Sequence, residues 1–345
     1  MVGPIEFHLN GEWRQVMHVA PWAEEPIDAD PILKCLRGDF FCMPFGLSFV
    51  PFEGELHPLH GETANQPWSE ESLSASEIRL QLETTIRPAK VSRSVSVRKS
   101  EANVYQSTVV SGGVGPVTYG MHAMPKFPSA PGSGLLSFSP YSEGLVFPGN
   151  FEEPSLGGYT SLKPGTFFES VTAVPTRDGG TADLTRYPAR PGYEDLVMLL
   201  SEPGLDFAWS AVTFPDLGYV WFCLKDPRVL PSTMLWISNG GRHYAPWNGR
   251  HRGVMGIEEV CTGLPSGIGE AVASNLMADR GHKTYGVLDP DSPLAINVIL
   301  GSAAIPSGFG RVADIQRTNS GVVILGTEGA AVDASCDTEF LYRTH

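Results

Sequence analysis

Glycine and proline interrupt this chain at short intervals from one end to the other. The 345 residues include 38 glycines and 29 prolines. Both residues favour turns and weaken the interiors of helices and strands, so the pattern predicts many short elements joined by many turns. The two loosest stretches, 129–134 and 176–190, show no change in composition. We therefore interpret them as long loops inside one domain and not as linkers.

The segments between these breakers have the character of β-strands. Apolar and polar residues alternate over 78–83 and 94–98, as they do in strands that bury one face. Stretches rich in Val, Ile, Tyr and Trp predict further strands at 103–110, 218–224, 295–299 and 321–325. We expect an all-β chain that folds as one large antiparallel β-sandwich domain over 1–345.

Only one or two short helices are expected. Residues 267–280 predict a helix that Ser266 can cap and Gly281 can end. Its buried face would contain Val272, Leu276 and Met277. A second short helix is expected near 194–200.

Charge and cysteine usage exclude several classes of protein. The net charge of -14 argues against a nucleic-acid partner, because phosphate binding depends mainly on Lys and Arg. The sequence contains no run of about 18 apolar residues, so it predicts no membrane span. The first residues lack the basic and apolar regions of a secretion signal, so we expect a cytoplasmic protein. The five cysteines form no C-x-x-C pair, which indicates free thiols rather than a thiolate metal site.

Polar residues with catalytic potential gather in four stretches, 37–68, 119–127, 235–251 and 256–263. The third places Trp236 and Trp247 beside Asn239, Arg242 and several histidines. An aromatic face can cover the C–H side of a sugar ring, while amide and guanidinium groups bond to its hydroxyls. This stretch therefore predicts a carbohydrate site, although each tryptophan by itself would also suit a sandwich core.

Short motifs in three of these stretches resemble those of the aldose 1-epimerase, or galactose mutarotase-like, superfamily. RGDFFCMPFG at 37–46 and HGETANQPW at 60–68 resemble its glycine–proline–phenylalanine stretch and its HG…N…W motif. GMHAMPKF at 120–127 resembles the motif of its second histidine. EVCT at 259–262 resembles its E-P-x-T stretch, with Val260 at the usual proline.

The resemblance implies a β-supersandwich with a sugar cleft and acid–base catalysis that needs no cofactor. In this chemistry one group takes the proton of the anomeric hydroxyl and another donates a proton to the ring oxygen. By the motif matches, His122 would be the acid, Glu259 the base, and His60 would hold the substrate or polarise the ring oxygen. Neighbouring strand residues face opposite ways, so only one of Glu258 and Glu259 can enter the cleft. The E-x-x-T spacing favours Glu259.

The remaining candidates are predicted to bind the substrate. They are Asn65, Trp68, Trp236, Arg242, Trp247, Glu258 and Asp195. Asp195 is a guess for the aspartate that assists the acid and base in the family. Where phosphate-epimerase branches often carry an arginine, this chain has Ala64, which argues against a sugar phosphate. The sequence still allows an acidic sugar as the substrate, because its locally basic stretch contains Arg242, Arg250 and Arg252.

Two alternatives stand beside the isomerase. A mutarotase-like fold can hold a carbohydrate without turning it over. A metal-dependent sugar enzyme would use His57, His60 and His122, with His57 and His60 in HPLH lacking a third ligand of fixed spacing. No nucleotide-binding loop, HExxH or G-x-S-x-G motif is present in the sequence. The expected partner is a small carbohydrate. The sequence identifies neither which sugar it is nor whether the protein forms a homodimer.

Overall fold

A computed structural model describes residues 1–47, 50–264 and 267–344. Strands dominate it. They are β1 (Glu6–Leu9), β2 (Glu12–Gln15), β3 (Phe41–Cys42), β4 (Ser69–Leu73), β5 (Glu77–Thr84), β6 (Ala89–Val97), β7 (Asn103–Ser111), β8 (Gly115–Val117), β9 (Tyr119–Ala123), β10 (Gly134–Phe138), β11 (Tyr141–Val146), β12 (Phe167–Phe168), β13 (Val174–Pro175), β14 (Thr181–Ala182), β15 (Arg186–Tyr187), β16 (Tyr193–Ser201), β17 (Ala208–Phe214), β18 (Tyr219–Lys225), β19 (Ser232–Asn239), β20 (Val254–Cys261), β21 (Gly286–Leu288), β22 (Leu294–Ala304), β23 (Val312–Thr318), β24 (Gly321–Gly326) and β25 (Ala331–Ser335).

Helices in the described residues are few and short. The α-helices are α1 (Pro31–Lys34), α2 (Glu62–Asn65) and α3 (Ile268–Val272), and the 3-10 helices are η1 (Pro154–Leu156), η2 (Pro215–Leu217), η3 (Ala278–Arg280) and η4 (Thr338–Tyr342). None of these helices is long and apolar enough to cross a membrane.

Two large sheets carry the architecture. One has nine strands in the order β15-β10-β17-β18-β22-β7-β6-β5-β4, and the other has seven in the order β12-β11-β16-β19-β20-β9-β3. All their pairings are antiparallel. The strands β23–β25 form a separate three-stranded sheet. The expected all-β sandwich is confirmed.

The seven-stranded sheet is covered on both faces by different apolar clusters. Val197, Leu235 and Ile257 belong to the cluster that includes Trp221 of the nine-stranded sheet, so this face forms the core between the two sheets. Their strand neighbours Leu196, Met234 and Trp236 belong to a second cluster on the opposite face. Because side chains alternate along a strand, each strand here supplies both clusters.

The six predicted strands are confirmed in β5, β6, β7, β18, β22 and β24. The stretch 176–190, expected to be a loop, holds the two-residue strands β14 and β15. The helix expected near 194–200 is wrong, since this segment lies in β16, bonded to β11 and β19 on either side. A short apolar run suits a buried strand as well as a helix, and pairing with two neighbours decides for the strand.

The helix predicted over 267–280 is present only in part. Residues 268–272 form α3, residues 278–280 form η3, and Gly281 ends the second turn with φ of 84°. Asn275 interrupts the helix, because its side-chain oxygen accepts the backbone N–H groups of Met277 and Ala278. The cap proposed at Ser266 lies outside the described residues.

A buried ion pair joins the two sheets. Lys225 Nζ of β18 lies 2.5 Å from Glu259 Oε2 of β20, and both side chains are about 1% exposed. Ser210 Oγ and Thr233 Oγ1 also donate to the carboxylate, at 2.6 and 2.7 Å. Charges this deep are tolerated only when paired and hydrogen-bonded, as both are here.

Glu259→Gln should destabilise the fold by about 3–5 kcal/mol, because it leaves the Lys225 ammonium buried without its counter-charge. Urea unfolding measures the loss. The double variant Lys225→Met/Glu259→Leu removes both charges and should recover most of the stability. Equal stability of Glu259→Gln and the unmodified protein would show that the pair contributes nothing to holding the sheets together.

Candidate active site

A cleft of about 670 Å³ opens on the outer face of the seven-stranded sheet. Its floor contains His122 of β9, Glu258 of β20 and Trp236 of β19. One side is formed by α1 and the other by the segment 150–156 together with 242–247. The second apolar cluster surrounds the floor, so polar groups on it are held away from water.

His122 and Glu258 form the polar centre of the cleft. They stand directly opposite each other where β9 pairs with β20, and such pairs share one face of the sheet. His122 Nε2 lies 3.2 Å from Glu258 Oε1, although the two are not aligned as a hydrogen bond. Within the described residues His122 Nδ1 also has no hydrogen-bond partner. Both groups are therefore free to bond to a bound molecule.

Burial sets the protonation of this pair. It lowers the pKa of His122 well below its ordinary value, with a smaller contribution from His60. It raises the pKa of Glu258 well above its ordinary value, and the nearby Asp39 and Glu259 add to the effect. Each group thus favours its neutral form, which places one proton on Glu258 and leaves His122 able to accept another.

His60 completes the cluster. Its ring meets that of His122 edge to face, with centroids 5.2 Å apart, and also contacts Phe45 at 4.9 Å. Its Nδ1 accepts the backbone N–H of Gly46 at 3.4 Å. Burial lowers the pKa of His60 to about 4, so it is neutral near pH 7. His60 itself has a positive φ of 58°, which lets the loop bring its side chain into the cleft.

Gly61 explains why the HG motif needs its glycine. Its φ is 76°, and a Cβ at this position would lie 1.9 Å from the carbonyl oxygen of Met43. A backbone atom cannot move aside cheaply, so no other residue fits. The motif therefore packs the His60 loop against the segment that leads out of β3.

The guanidinium of Arg242 and the indoles of Trp236 and Trp247 meet at one side of the cleft. The guanidinium of Arg242 lies 4.5 Å from the Trp247 ring centroid and 5.5 Å from that of Trp236. Glu152 accepts a hydrogen bond from Arg242 Nε and another from Tyr244. Although burial acts to lower it, the carboxylates of Glu194 and Glu152 raise the pKa of Arg242. The positive charge of Arg242 is therefore already balanced by the carboxylates beside it.

Six of the predicted site residues come together in the cleft. They are His122, His60, Glu258, Trp236, Arg242 and Trp247. The preference for Glu259 over Glu258 is corrected by the structure. Glu259 faces the core between the sheets, where it pairs with Lys225, and the alternation along β20 turns Glu258 into the cleft.

Three further candidates lie elsewhere and hold the backbone. Asn65 accepts the N–H of Ile32 and donates to the carbonyls of Leu59 and Gly61, so it ties α1 to the His60 loop. Trp68 donates its indole N–H to the carbonyl of Thr63. Both positions were expected to touch substrate, and both instead support the cleft from outside.

Asp195 also lies outside the cleft. Its carboxylate accepts the backbone N–H groups of Ser161 and Leu162 and the hydroxyl of Ser161. Asp195 therefore does not line the cleft with His122 and Glu258. Its neighbour in sequence, Glu194, lies on the Arg242 side, with Oε2 at 3.8 Å from Arg242 Nε.

His57 is separated from the histidines of the cleft. Its Nε2 lies 3.1 Å from Glu55 Oε2, and it lines a small cavity with Met43 and Arg87. Among the described residues no group of three His, Cys, Asp or Glu side chains is placed to hold a metal ion. The metal-dependent alternative therefore lacks the ligand set that HPLH indicated.

Sequence reasoning missed Phe40, Glu152 and Tyr244. Phe40 stacks on His122 with ring centroids 4.5 Å apart, and Glu152 and Tyr244 hold Arg242. Phe40 lies inside the recognised stretch RGDFFCMPFG and Tyr244 inside NGGRHYAPW, so their proximity to motif residues was the available signal. Glu152 lies in a turn-rich segment with no pattern of its own.

Solved structures resemble most of this chain in fold. A proposed aldose 1-epimerase from Escherichia coli K12 matches with a TM-score of 0.57 and 14% identity, over 85% of this chain and 91% of that chain. A galactose mutarotase related enzyme from Lactobacillus acidophilus matches with a TM-score of 0.52 and 10% identity, over 79% and 85%. The chain has the galactose mutarotase-like fold. A galactose mutarotase-like protein from Lactobacillus casei matches similarly, with a TM-score of 0.51 and 12% identity, over 78% and 86%.

The observed fold is the one that the resemblance of the sequence motifs implied. No protein-family model and no curated protein matches the chain. Identities this low establish the fold alone, and one fold can host different chemistries. The activity of this mutarotase-like protein has to be argued from His122, Glu258 and their surroundings.

Gly61→Ala should destabilise the protein by more than backbone strain alone. A left-handed backbone costs a non-glycine residue roughly 1–2 kcal/mol, and the overlap with the Met43 carbonyl adds to it. Gly11→Ala is a matched control, since its φ is 82° and its Cβ would meet nothing within 4 Å. Urea unfolding of both variants measures the difference. Equal losses would mean that the Met43 contact does not restrict this loop.

Proposed function

We propose that the cleft binds a reducing sugar and that His122 and Glu258 interconvert its two anomers, which makes the protein an aldose 1-epimerase-like isomerase. The observation that carries this proposal is the 3.2 Å contact between His122 Nε2 and Glu258 Oε1 on the floor of a tryptophan-walled cleft. The mutarotase-like fold and the second histidine of the cleft, His60, support it. The cytoplasm is part of the proposal, and the five free cysteines are compatible with a reducing compartment.

Anomer interconversion needs one proton donor and one proton acceptor. In ring opening, the acceptor takes the proton of the O1 hydroxyl while the donor protonates the ring oxygen O5. The C1–O5 bond breaks and C1=O1 forms. After rotation about C1–C2, the reverse transfers close the ring on the other face of C1. Protons balance, because the pair gives one and receives one in each half-reaction.

His122 and Glu258 together hold the single proton that this cycle requires. Burial places that proton on Glu258, so Glu258 is the first donor and His122 the first acceptor. The roles exchange on ring closure. O1 and O5 of a sugar are attached to the same carbon, so two groups in van der Waals contact can reach both. This assignment reverses the acid and base roles that the family resemblance implies for its histidine and glutamate.

The other side chains of the cleft suit a neutral sugar. Trp236 and Trp247 offer apolar faces to the C–H side of a ring. Arg242 is engaged by Glu152 and Glu194, while Arg250 pairs with Glu25 at 2.6 Å. Arg252 Nε donates to the carbonyl of Gly249, and neither Arg250 nor Arg252 lines the cleft. Because Arg242, which does line it, is already paired with carboxylates, the acidic substrate left open by the sequence is not preferred.

Binding without turnover is the second candidate. It is favoured by the unpartnered Nδ1 of His122 within the described residues, because catalytic histidines are commonly oriented by a hydrogen bond to the second nitrogen. A sugar that broadens in the NMR spectrum without faster α–β exchange would identify this case.

Glu258→Gln should lower the rate of α–β exchange by about 10²-fold or more, because the amide cannot donate and recover a proton. NMR exchange spectroscopy on a panel of neutral and acidic aldoses measures this rate directly. The fold should tolerate the change, since burial already favours the neutral carboxyl at this site. Glu83→Gln, on an exposed part of β5, is the control. An unchanged exchange rate in Glu258→Gln would refute the assignment of Glu258.

The catalysed rate should not follow an ordinary histidine titration. With ordinary pKa values the single proton of the pair would lie on His122, and activity would fall as that proton was lost near pH 6.5. Here the pKa of His122 is lowered and that of Glu258 is raised, so the single proton lies on Glu258 and its loss sets the high-pH limit of activity. Exchange rates between about pH 5 and about pH 8, corrected for the uncatalysed reaction, test this. An inflection near 6.5 would contradict it.

A further inference from the structure

The cleft is more apolar than a free hexose requires. Side chains that line it include Ile32, Leu33, Leu36, Leu47, Leu59 and Met234. They form an apolar wall at α1, the His60 loop and the floor, and all of them except Leu47 pack in one apolar cluster. A sugar presents one small apolar face and hydroxyls around its whole edge, so most of this wall would meet hydroxyls.

Several polar groups of the cleft are already engaged. Arg242, Glu152 and Tyr244 bond to one another. Asn150 accepts a hydrogen bond from Arg177 on the protein surface. Among the fully buried atoms of the described residues, Trp236 Nε1, His122 Nδ1 and Glu258 Oε1 line the cleft without a hydrogen-bond partner. These groups of the floor can bind the anomeric oxygen and the ring oxygen, whereas the leucine side chains of the wall offer no polar group to further hydroxyls.

A hydroxyl that loses water without gaining a partner costs roughly 1–3 kcal/mol. Several such hydroxyls against the leucine wall would cancel the gain from stacking on the indoles. An alkyl or aryl group in the same place gains about 0.8 kcal/mol for each methylene removed from water. The wall thus favours an apolar group and opposes a fully hydroxylated one.

The size and mouth of the cleft agree with this. Its volume of about 670 Å³ lies within the range of sites for drug-sized molecules, so a single sugar ring fills only part of it. Leu156 lines the mouth and is 70% exposed, which extends the apolar surface out of the cleft. An exposed leucine continuous with an apolar cavity is well placed to contact a ligand.

We infer that the substrate is a reducing sugar that carries an apolar substituent, an acyl, alkyl or aryl group, which lies between the wall at α1 and Leu156 on the other side of the cleft. The sugar part of this inference rests on the proposed function. The reacting hemiacetal would lie at His122 and Glu258, and the substituent would leave the sugar at a position away from the anomeric carbon.

Affinity for a graded series of ligands tests the inference. The probes are glucose and glucose acylated on its primary hydroxyl with acetyl, butanoyl, hexanoyl or octanoyl chains, measured by calorimetry. A parallel series of alkyl glucosides attaches the chain at the other end of the sugar. We expect up to about fourfold tighter binding for each added methylene, the equivalent of about 0.8 kcal/mol, in the acyl series. Affinity that is independent of chain length in both series would overturn the inference.

Two leucines provide matched variants for this measurement. Leu156→Ser should reduce the gain in affinity from the longer chains. Leu73→Ser is the control, because Leu73 is 66% exposed, lies on the edge strand β4 and does not line the cleft. Both side chains are at the surface, so neither change should unfold the protein. An unchanged chain-length dependence in Leu156→Ser would overturn the assigned path of the substituent.

Two measurements distinguish a failure of this inference from a failure of the proposed function. Methyl octanoate carries the chain without the sugar, and binding as tight as that of octanoyl glucose would overturn the assignment of a sugar. Exchange spectroscopy on the same acyl sugars reports catalysis independently of affinity. Tightening with chain length but no faster anomer exchange would uphold the ligand class and refute the isomerase.

Discussion

The antiparallel register between β9 and β20 is the constraint on which the site depends. It places Glu258 opposite His122 and thereby assigns both to one face of the seven-stranded sheet. The same register turns Glu259 to the other face, where Lys225 neutralises it between the sheets. A slip of one residue in this pairing would turn every side chain of β20 to the opposite face, so that glutamates no longer stood both opposite His122 and beside Lys225. Stability and chemistry therefore depend on one ladder of hydrogen bonds.

Burial gives the paired groups of the site their chemical character. Glu258 and His122 both lie in an apolar cluster, so desolvation pushes their pKa values in opposite directions and leaves one proton between them. At one side of the cleft, Arg242 keeps its charge because Glu152 and Glu194 surround it. The cleft thus combines a neutral pair that can exchange protons with a cation that is already satisfied. This division suits acid–base chemistry on a neutral molecule better than binding of an anion.

Much of the fold and part of the site followed from the sequence. The short Gly- and Pro-bounded segments predicted the strands, because a period of two is a local property of the chain. The motifs around His60 and His122 led to two cleft residues, and the tryptophan- and arginine-rich stretch led to three more. The errors share a cause. Asn65 and Trp68 follow His60, which lines the cleft, yet their hydrogen bonds run to backbone carbonyls that only the folded loop brings near.

The sequence alone determined that this chain forms many short strands. It also determined that Glu258 and Glu259 point to opposite faces of their sheet. Alternation along a strand guarantees the second point without any knowledge of the fold. Only the tertiary structure decided which of the two enters the cleft, since that depends on what covers each face of β20. On one side lies Lys225, from a strand of the other sheet, and on the other lies His122, from the neighbouring strand. These contacts join residues far apart in the chain, so no local pattern records them.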